Sequence, residues 1–195
     1  MLDYKTVLTG IGIAIGLVSY GSYFRGIFSG KTKPHLFSWL VWTIINWTAF
    51  FAQLVKGGGT GSWITATNAC LCTLVAIFAI SRGEQNITRS DWYSLTGAFL
   101  GVFGWIVTRN PVAAVILISV TDCFAIYPTF RKSYHKPYEE NVFSWSIDLI
   151  KFILQLFALE SFNLTTALFP IVILTNDFIL TTMILIRRKS IIKAR

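Results

Sequence analysis

Long apolar runs broken by short polar stretches set the pattern of this chain. A helix needs about 20 mainly apolar residues to cross roughly 30 Å of hydrocarbon. Seven segments meet that length: Val7 to Ile27, Leu36 to Val55, Trp63 to Ile80, Trp92 to Thr108, Pro111 to Phe130, Asn141 to Leu159 and Leu164 to Ile186. The breaks between them hold the glycine, proline and charge that end helices, as in Lys56-Gly57-Gly58-Gly59-Thr60-Gly61 and Arg109-Asn110-Pro111. No stretch is left for a soluble domain. The pattern predicts an all-α membrane protein of seven transmembrane helices.

Composition excludes the alternatives. The chain is 54% hydrophobic and 13% charged, about half the charge of an ordinary soluble domain, and a disordered chain would need low hydrophobicity. The first apolar run lacks an Ala-x-Ala-like cleavage site, so it is expected to be retained. A net charge of +8 raises nucleic acid as a partner, but the basic residues sit between apolar runs instead of clustering on one soluble face. Cys70, Cys72 and Cys123 fall inside apolar segments, which argues against disulfides or a zinc site.

The basic residues also orient the chain. With seven crossings, one side holds Lys5, Lys56 and Arg109, whereas 13 of the 17 Lys and Arg fall on the opposite side, with Lys151 placed inside helix 6. Basic loops stay cytoplasmic, so the N-terminus is expected outside and the C-terminus inside, in the plasma membrane (the cell inner membrane).

The chain repeats itself. Lys33-Pro34 and Phe37-Ser38-Trp39 return as Lys136-Pro137 and Phe143-Ser144-Trp145, each set in a loop facing the cytoplasm and at the start of the following helix. The halves are therefore helices 1 to 3 and 5 to 7 in one orientation, with helix 4 inverting the chain between them, a parallel 3+1+3 arrangement. The corresponding boundaries are residues 1–82 for the first repeat, 83–109 for the linker helix and 110–195 for the second repeat and its basic cytoplasmic tail. With Pro128-Thr129 closing helix 5, then Arg131-Lys132-Ser133, Pro137 and Ser144-Trp145, the chain resembles the SWEET and PQ-loop superfamily of seven-helix membrane transporters. The family's Pro-Gln pair reads Pro-Thr here. The resemblance implies a carrier of small metabolites such as sugars, amino acids or vitamin precursors.

Four ionisable side chains lie about 10 to 15 Å from the cytoplasmic helix ends at 1.5 Å per residue: Asp122, Asp148, Lys151 and Asp177. Such groups cost about 2.5 to 3.5 kcal/mol each on insertion scales and usually face a cavity or one another. Asp148 and Lys151, at i and i+3, either neutralise each other alone or belong to a site. Asp122 and Asp177 then need a partner, a proton or a substrate cation. Three carboxylates with one lysine suit a proton site or a cationic or zwitterionic ligand.

On helix 6, Trp145, Asp148, Phe152 and Gln155 share a face, and on helix 2 Trp39, Trp42, Asn46 and Gln53 do the same. The stripes are expected to face each other across a cavity. Trp39 and Trp145, one turn from the edge, read equally as interfacial anchors, while Trp42 and Asn46 lie deeper. The family resemblance implies that Asn68 on helix 3 and Asn176 on helix 7 line the substrate site; the plain alternative is an interhelical hydrogen bond.

Pro128 and Pro170 are candidate hinges or static kinks. Gly12 and Gly16, and Gly97, Gly101 and Gly104, allow close helix contact. His35 and His135 are expected to be solvated loop residues, Glu139-Glu140 to pair with Arg131-Lys132 across the loop as a weak exposed latch, and Asn86 to lie where glycosylation does not occur. The absence of enzyme motifs argues for no catalytic residues, cofactor or metal. A transporter moving a small polar metabolite by alternating access, with proton coupling, is therefore expected; the rival is a receptor or assembly protein of the same fold. Membrane lipid, a small-molecule substrate and protons are the expected partners, nucleic acid is not, and a homo-oligomer is open.

Overall fold

The structure, a computed structural model, describes residues 3–84 and 87–193. Seven long α-helices carry the chain: α1 (Tyr4–Phe28), α2 (Leu36–Val55), α3 (Ser62–Arg82), α4 (Arg89–Thr108), α5 (Pro111–His135), α6 (Val142–Ala158) and α7 (Leu164–Lys193). Among the described residues there is no β-strand, only an isolated bridge between His35 and Glu84. Among the described residues, five helices are long and apolar enough to cross a membrane: α1, α2, α3, α5 and α7. α6 is shorter, at 17 residues, or about 25 Å of helix.

Local chemistry sets several boundaries. Asn110 caps α5 by accepting from the backbone N–H of Val112 and Ala113, with Pro111 at the first position. Asn141 caps α6 by accepting from Ser144 N, as short amide side chains do at helix starts. Two ends run further than the hydropathy pattern suggests. α5 continues through Pro128 to His135 instead of closing at the proline, and α7 carries Arg187, Arg188 and Lys189 within the helix instead of in a loose tail. Apolar windows end where charge begins, but helical hydrogen bonding does not.

Packing partners trace a ring. α1 packs on α6 and α3, α3 on α2, α2 on α5, α5 on α7, and α7 on α6, while α4 lies outside against α5 and α2. α1 and α6 run antiparallel: Lys5 Nζ donates to Leu159 O, Ser144 Oγ to Ser19 O, and Asn141 Nδ2 to Ser22 O. α2 and α5 are likewise antiparallel, with Trp42 bonded to Asp122 and Ser38 to Ala125 O. Gly12 and Gly16 face α6 and α3, where a Cβ on Gly16 would meet the Lys151 side chain at 3.2 Å. Gly97 is looser than the glycine spacing suggests, its nearest neighbour being Thr121 Oγ1 at 3.9 Å.

Burial departs from that of a soluble protein in two respects: polar groups share the interior with an apolar core, and the surface is strongly apolar. Asn46, Gln53, Asn68, Asp122, Lys151, Gln155 and Asp177 are buried, while Leu17, Val18, Ile77, Phe99, Phe103, Phe124, Phe157 and Phe178 are exposed. An apolar skin over a partly polar interior is stable in hydrocarbon and unstable in water. The chain is built as a multi-pass membrane protein.

Candidate functional site

The inward stripes of α2 and α6 meet. Trp39, Trp42 and Trp145 touch one another, with ring centroids 5.1 Å apart for Trp39 and Trp42 and 5.8 Å for Trp42 and Trp145. Tyr23 of α1 completes the group, 5.0 Å from Trp39 and 6.4 Å from Trp145. Trp39 is 4% and Trp145 6% exposed. Neither is an interfacial anchor: Trp39 packs among Tyr20, Tyr23 and Trp42, and Glu140, in the loop after α5, accepts from Trp145 Nε1 at 3.0 Å.

These rings form part of the wall of a central cavity of about 30 Å³, room for one or two waters. Trp42, Asn46, Asn68, Asp122, Trp145, Asp148 and Asp177 all border it. Asp122 is held at both oxygens, by Trp42 Nε1 at 2.9 Å and Asn176 Nδ2 at 2.7 Å. Asn176 thus reaches the cavity only through that carboxylate. Lys151 stands off the cavity: its Nζ lies 3.0 Å from Asp148 and donates to Asn68 Oδ1 at 2.8 Å. Asn68 also accepts from Tyr20 OH at 3.0 Å and donates to Asn46 Oδ1 at 3.0 Å, joining four helices. Asp177 is 4% exposed and, among the described residues, has neither a hydrogen bond nor an ion pair. Pro128 and Pro170 are buried inside α5 and α7, away from the cavity wall. Gln53 and Gln155 bond elsewhere, to Thr166 O and to Thr65 Oγ1.

Sequence reasoning missed Tyr20 and Tyr23, which carry no charge and sit in a glycine-rich helix. A signal was present: Gly12, Gly16, Ser19 and Tyr23 follow one helical face, and small residues that admit a neighbouring helix bring the next aromatic on that face to the same interior.

The basic end is more closed than its loop composition suggests. Lys132 and Glu140 form a buried ion pair, and Glu140 also accepts from Tyr23 OH at 3.2 Å. The latch expected to be exposed is therefore buried at its centre, with exposed partners around it: Lys33 and Glu139 at 3.2 Å, and Lys136 and Glu84 at 3.0 Å. Glu84 accepting from Lys136 holds that ammonium above the ordinary lysine value. His35 is 1% exposed and lies 3.4 Å from Asp91 of α4, which corrects the expectation of a solvated loop histidine. The segment before α2 tucks beneath the start of α4, a tertiary contact without a local signature. His135 is exposed. Asn86 lies outside the described residues, as does any side-chain account of Gly101.

Among the described residues no group of three His, Cys, Asp or Glu is placed to hold a metal ion. No protein-family model matches the chain, and no curated protein or solved structure matches it either.

Proposed function

We propose that this protein is a carrier that moves a small polar metabolite, such as a sugar, amino acid or vitamin-like compound, across the plasma membrane by alternating access. All seven helices span, α1 to α3 and α5 to α7 forming two like-oriented halves with α4 as the inverting linker, N-terminus outside and C-terminus inside. The ring of packing partners supports the pairing of halves: first with third and third with second in each, and first of one with second of the other. The observation that carries the reading is the cavity itself. Three carboxylates meet around a void at the junction of the halves, inside a molecule whose outer surface is apolar, and charge is retained at bilayer depth where it contacts a substrate or ion path.

Polar contacts bridge the helices at both ends of the bundle here. Lys132 and Glu140 pair at the basic end, and Gln53, Gln155 and Lys5 tie helix ends together at the other. Alternating access opens one end at a time, with Pro128 and Pro170 as pivots where a backbone hydrogen bond is missing. Asp122 and Asp177 take protons during the cycle. Reconstitution of the full chain in proteoliposomes tests this with labelled sugars, amino acids, vitamins and nucleosides, with and without a pH gradient. Saturable uptake that rises with the gradient and is lost in Asp122→Asn is expected; no flux of any solute overturns the carrier.

A receptor reading draws on a recess of about 310 Å³ at the basic end, bordered by Arg131, Lys132 and Lys136. Each of those cations already faces an acid, Asp91, Glu140 and Glu84 in turn. That pairing leaves little free charge for an anionic partner and favours the carrier.

A further inference from the structure

The cavity is chemically one-sided. Its polar wall offers Asp122, Asp148 and Asp177, while Lys151, the lysine inside a helix at this depth, is turned away behind Asp148 and Asn68. The Asp148 charge is matched by that lysine. Asp122 has only neutral donors, Trp42 and Asn176, and Asp177 has no hydrogen bond or ion pair at all among the described residues. The same cavity is bordered by the aromatic cluster of Tyr23, Trp39, Trp42 and Trp145, with Trp42 directly beside Asp122. Carboxylates beside electron-rich rings form the surroundings that attract an alkylated ammonium group. The molecule already holds one ammonium this way: Lys151 Nζ sits 4.4 Å from the Phe152 ring centroid and 5.3 Å from that of Tyr20, with Asp148 as its counter-ion.

We infer that the metabolite taken by this site is an organic cation. Its ammonium group lies between Asp177 and Asp122, and its alkyl surface rests on the tryptophan rings. This rests on the carrier reading and narrows it. A zwitterion would need a cation in the cavity wall for its carboxylate, and a neutral sugar would leave a proton as the sole partner of Asp177. A divalent metal is disfavoured because, among the described residues, no three His, Cys, Asp or Glu side chains stand close enough to share one ion, although three carboxylates border the cavity. At about 30 Å³ the cavity is contracted, so the ligand enters as the helices around it part and the rings separate.

Purified full-length protein in detergent tests the class directly, by tryptophan fluorescence and melting temperature. The probes are choline, tetramethylammonium, sodium and 3,3-dimethylbutan-1-ol, the uncharged isostere of choline. Choline and tetramethylammonium are expected to quench fluorescence saturably and raise the melting temperature, with the isostere binding about tenfold or more weakly. Asp177→Asn should weaken choline by a similar factor. The isostere comparison uses the unaltered chain, so a folding defect in the variant leaves the test intact. Equal binding of the isostere, a response to sodium alone, or no response to either organic cation overturns the assignment. Choline binding without flux in proteoliposomes overturns the carrier but keeps the cation site, and flux of a neutral metabolite without cation binding does the reverse.

Discussion

Ser38 on α2 donates to the backbone carbonyl of Ala125 on α5 at 2.8 Å, and Ser144 on α6 donates to the carbonyl of Ser19 on α1 at 2.7 Å. The same chain offset separates Ser38 from Ser144 and Ser19 from Ala125. The serine of each Phe-Ser-Trp triplet therefore does the same work, tying the second helix of one half to the first helix of the other. Other positions at that offset differ: Trp42 corresponds to Asp148, Ile45 to Lys151 and Gly16 to Asp122. The charges of the polar layer belong to the second half.

Replacing either serine by alanine should lower stability by about 0.5 to 1.5 kcal/mol. The two losses should be similar, because each Oγ has a second partner, Thr129 Oγ1 at 3.1 Å for Ser38 and Ser19 Oγ at 2.8 Å for Ser144. Reversible unfolding in detergent micelles measures both, and two silent substitutions would remove the serines as ties between the halves.

Lys151→Met leaves Asp148 buried without its cation and should cost about 3 to 5 kcal/mol. Asp148→Asn combined with Lys151→Met should recover much of that loss. A double substitution as damaging as the sum of the singles argues that the two side chains act separately.

Gly61 and Gly97 should respond oppositely to alanine. A Cβ at Gly61 would stand 2.8 Å from the backbone carbon of Ala158, which cannot rotate away, so Gly61→Ala should cost about 1 to 3 kcal/mol. Gly97→Ala meets nothing closer than 3.9 Å and should gain about 0.5 to 1 kcal/mol from restricting the unfolded chain within a helix. Melting curves of the two variants compared with the parent decide the matter.

At the basic end, Lys132→Met should cost about 3 to 5 kcal/mol because it strands the buried Glu140, whereas Lys136→Met should cost about 0 to 1 kcal/mol at an exposed pair. The Lys136 contribution has a definite pH sense. Its folded value lies above the ordinary 10.5, so the stabilisation is complete below 10.5 and disappears as pH rises through the folded value. The stability difference between parent and Lys136→Met should therefore close in alkali, and a difference that widens there contradicts the Glu84 partnership.

The all-helical membrane class, the clustering of basic residues near one another and the polar stripes of α2 and α6 were legible in the sequence. Each follows from periodicity or charge within a single segment. The fates of Trp39, Trp145, His35 and Glu140 were not. All four stand near helix starts where local pattern indicates solvent or headgroups, and all four are buried by chain arriving from elsewhere: α1, α4 and the turn after α5. The tyrosines of α1 escaped notice because an uncharged aromatic in an apolar run does not announce which side it faces. Asp122 and Asp177 were recognisable by their cost in hydrocarbon, but the pairing of Asp122 with Trp42 required knowing that α2 and α5 are neighbours.

The antiparallel seam between α1 and α6 is stitched at three heights, by Lys5 to Leu159, Ser19 to Ser144 and Ser22 to Asn141. A zipper that long resists being parted by thermal motion at any one stitch. For a carrier, the bodies that tilt past each other would then not be the two sequence repeats: α1 would swing together with α6, and the slip plane would fall where α1 has fewer ties, along its border with α3, held by Tyr20 to Asn68 and Cys72.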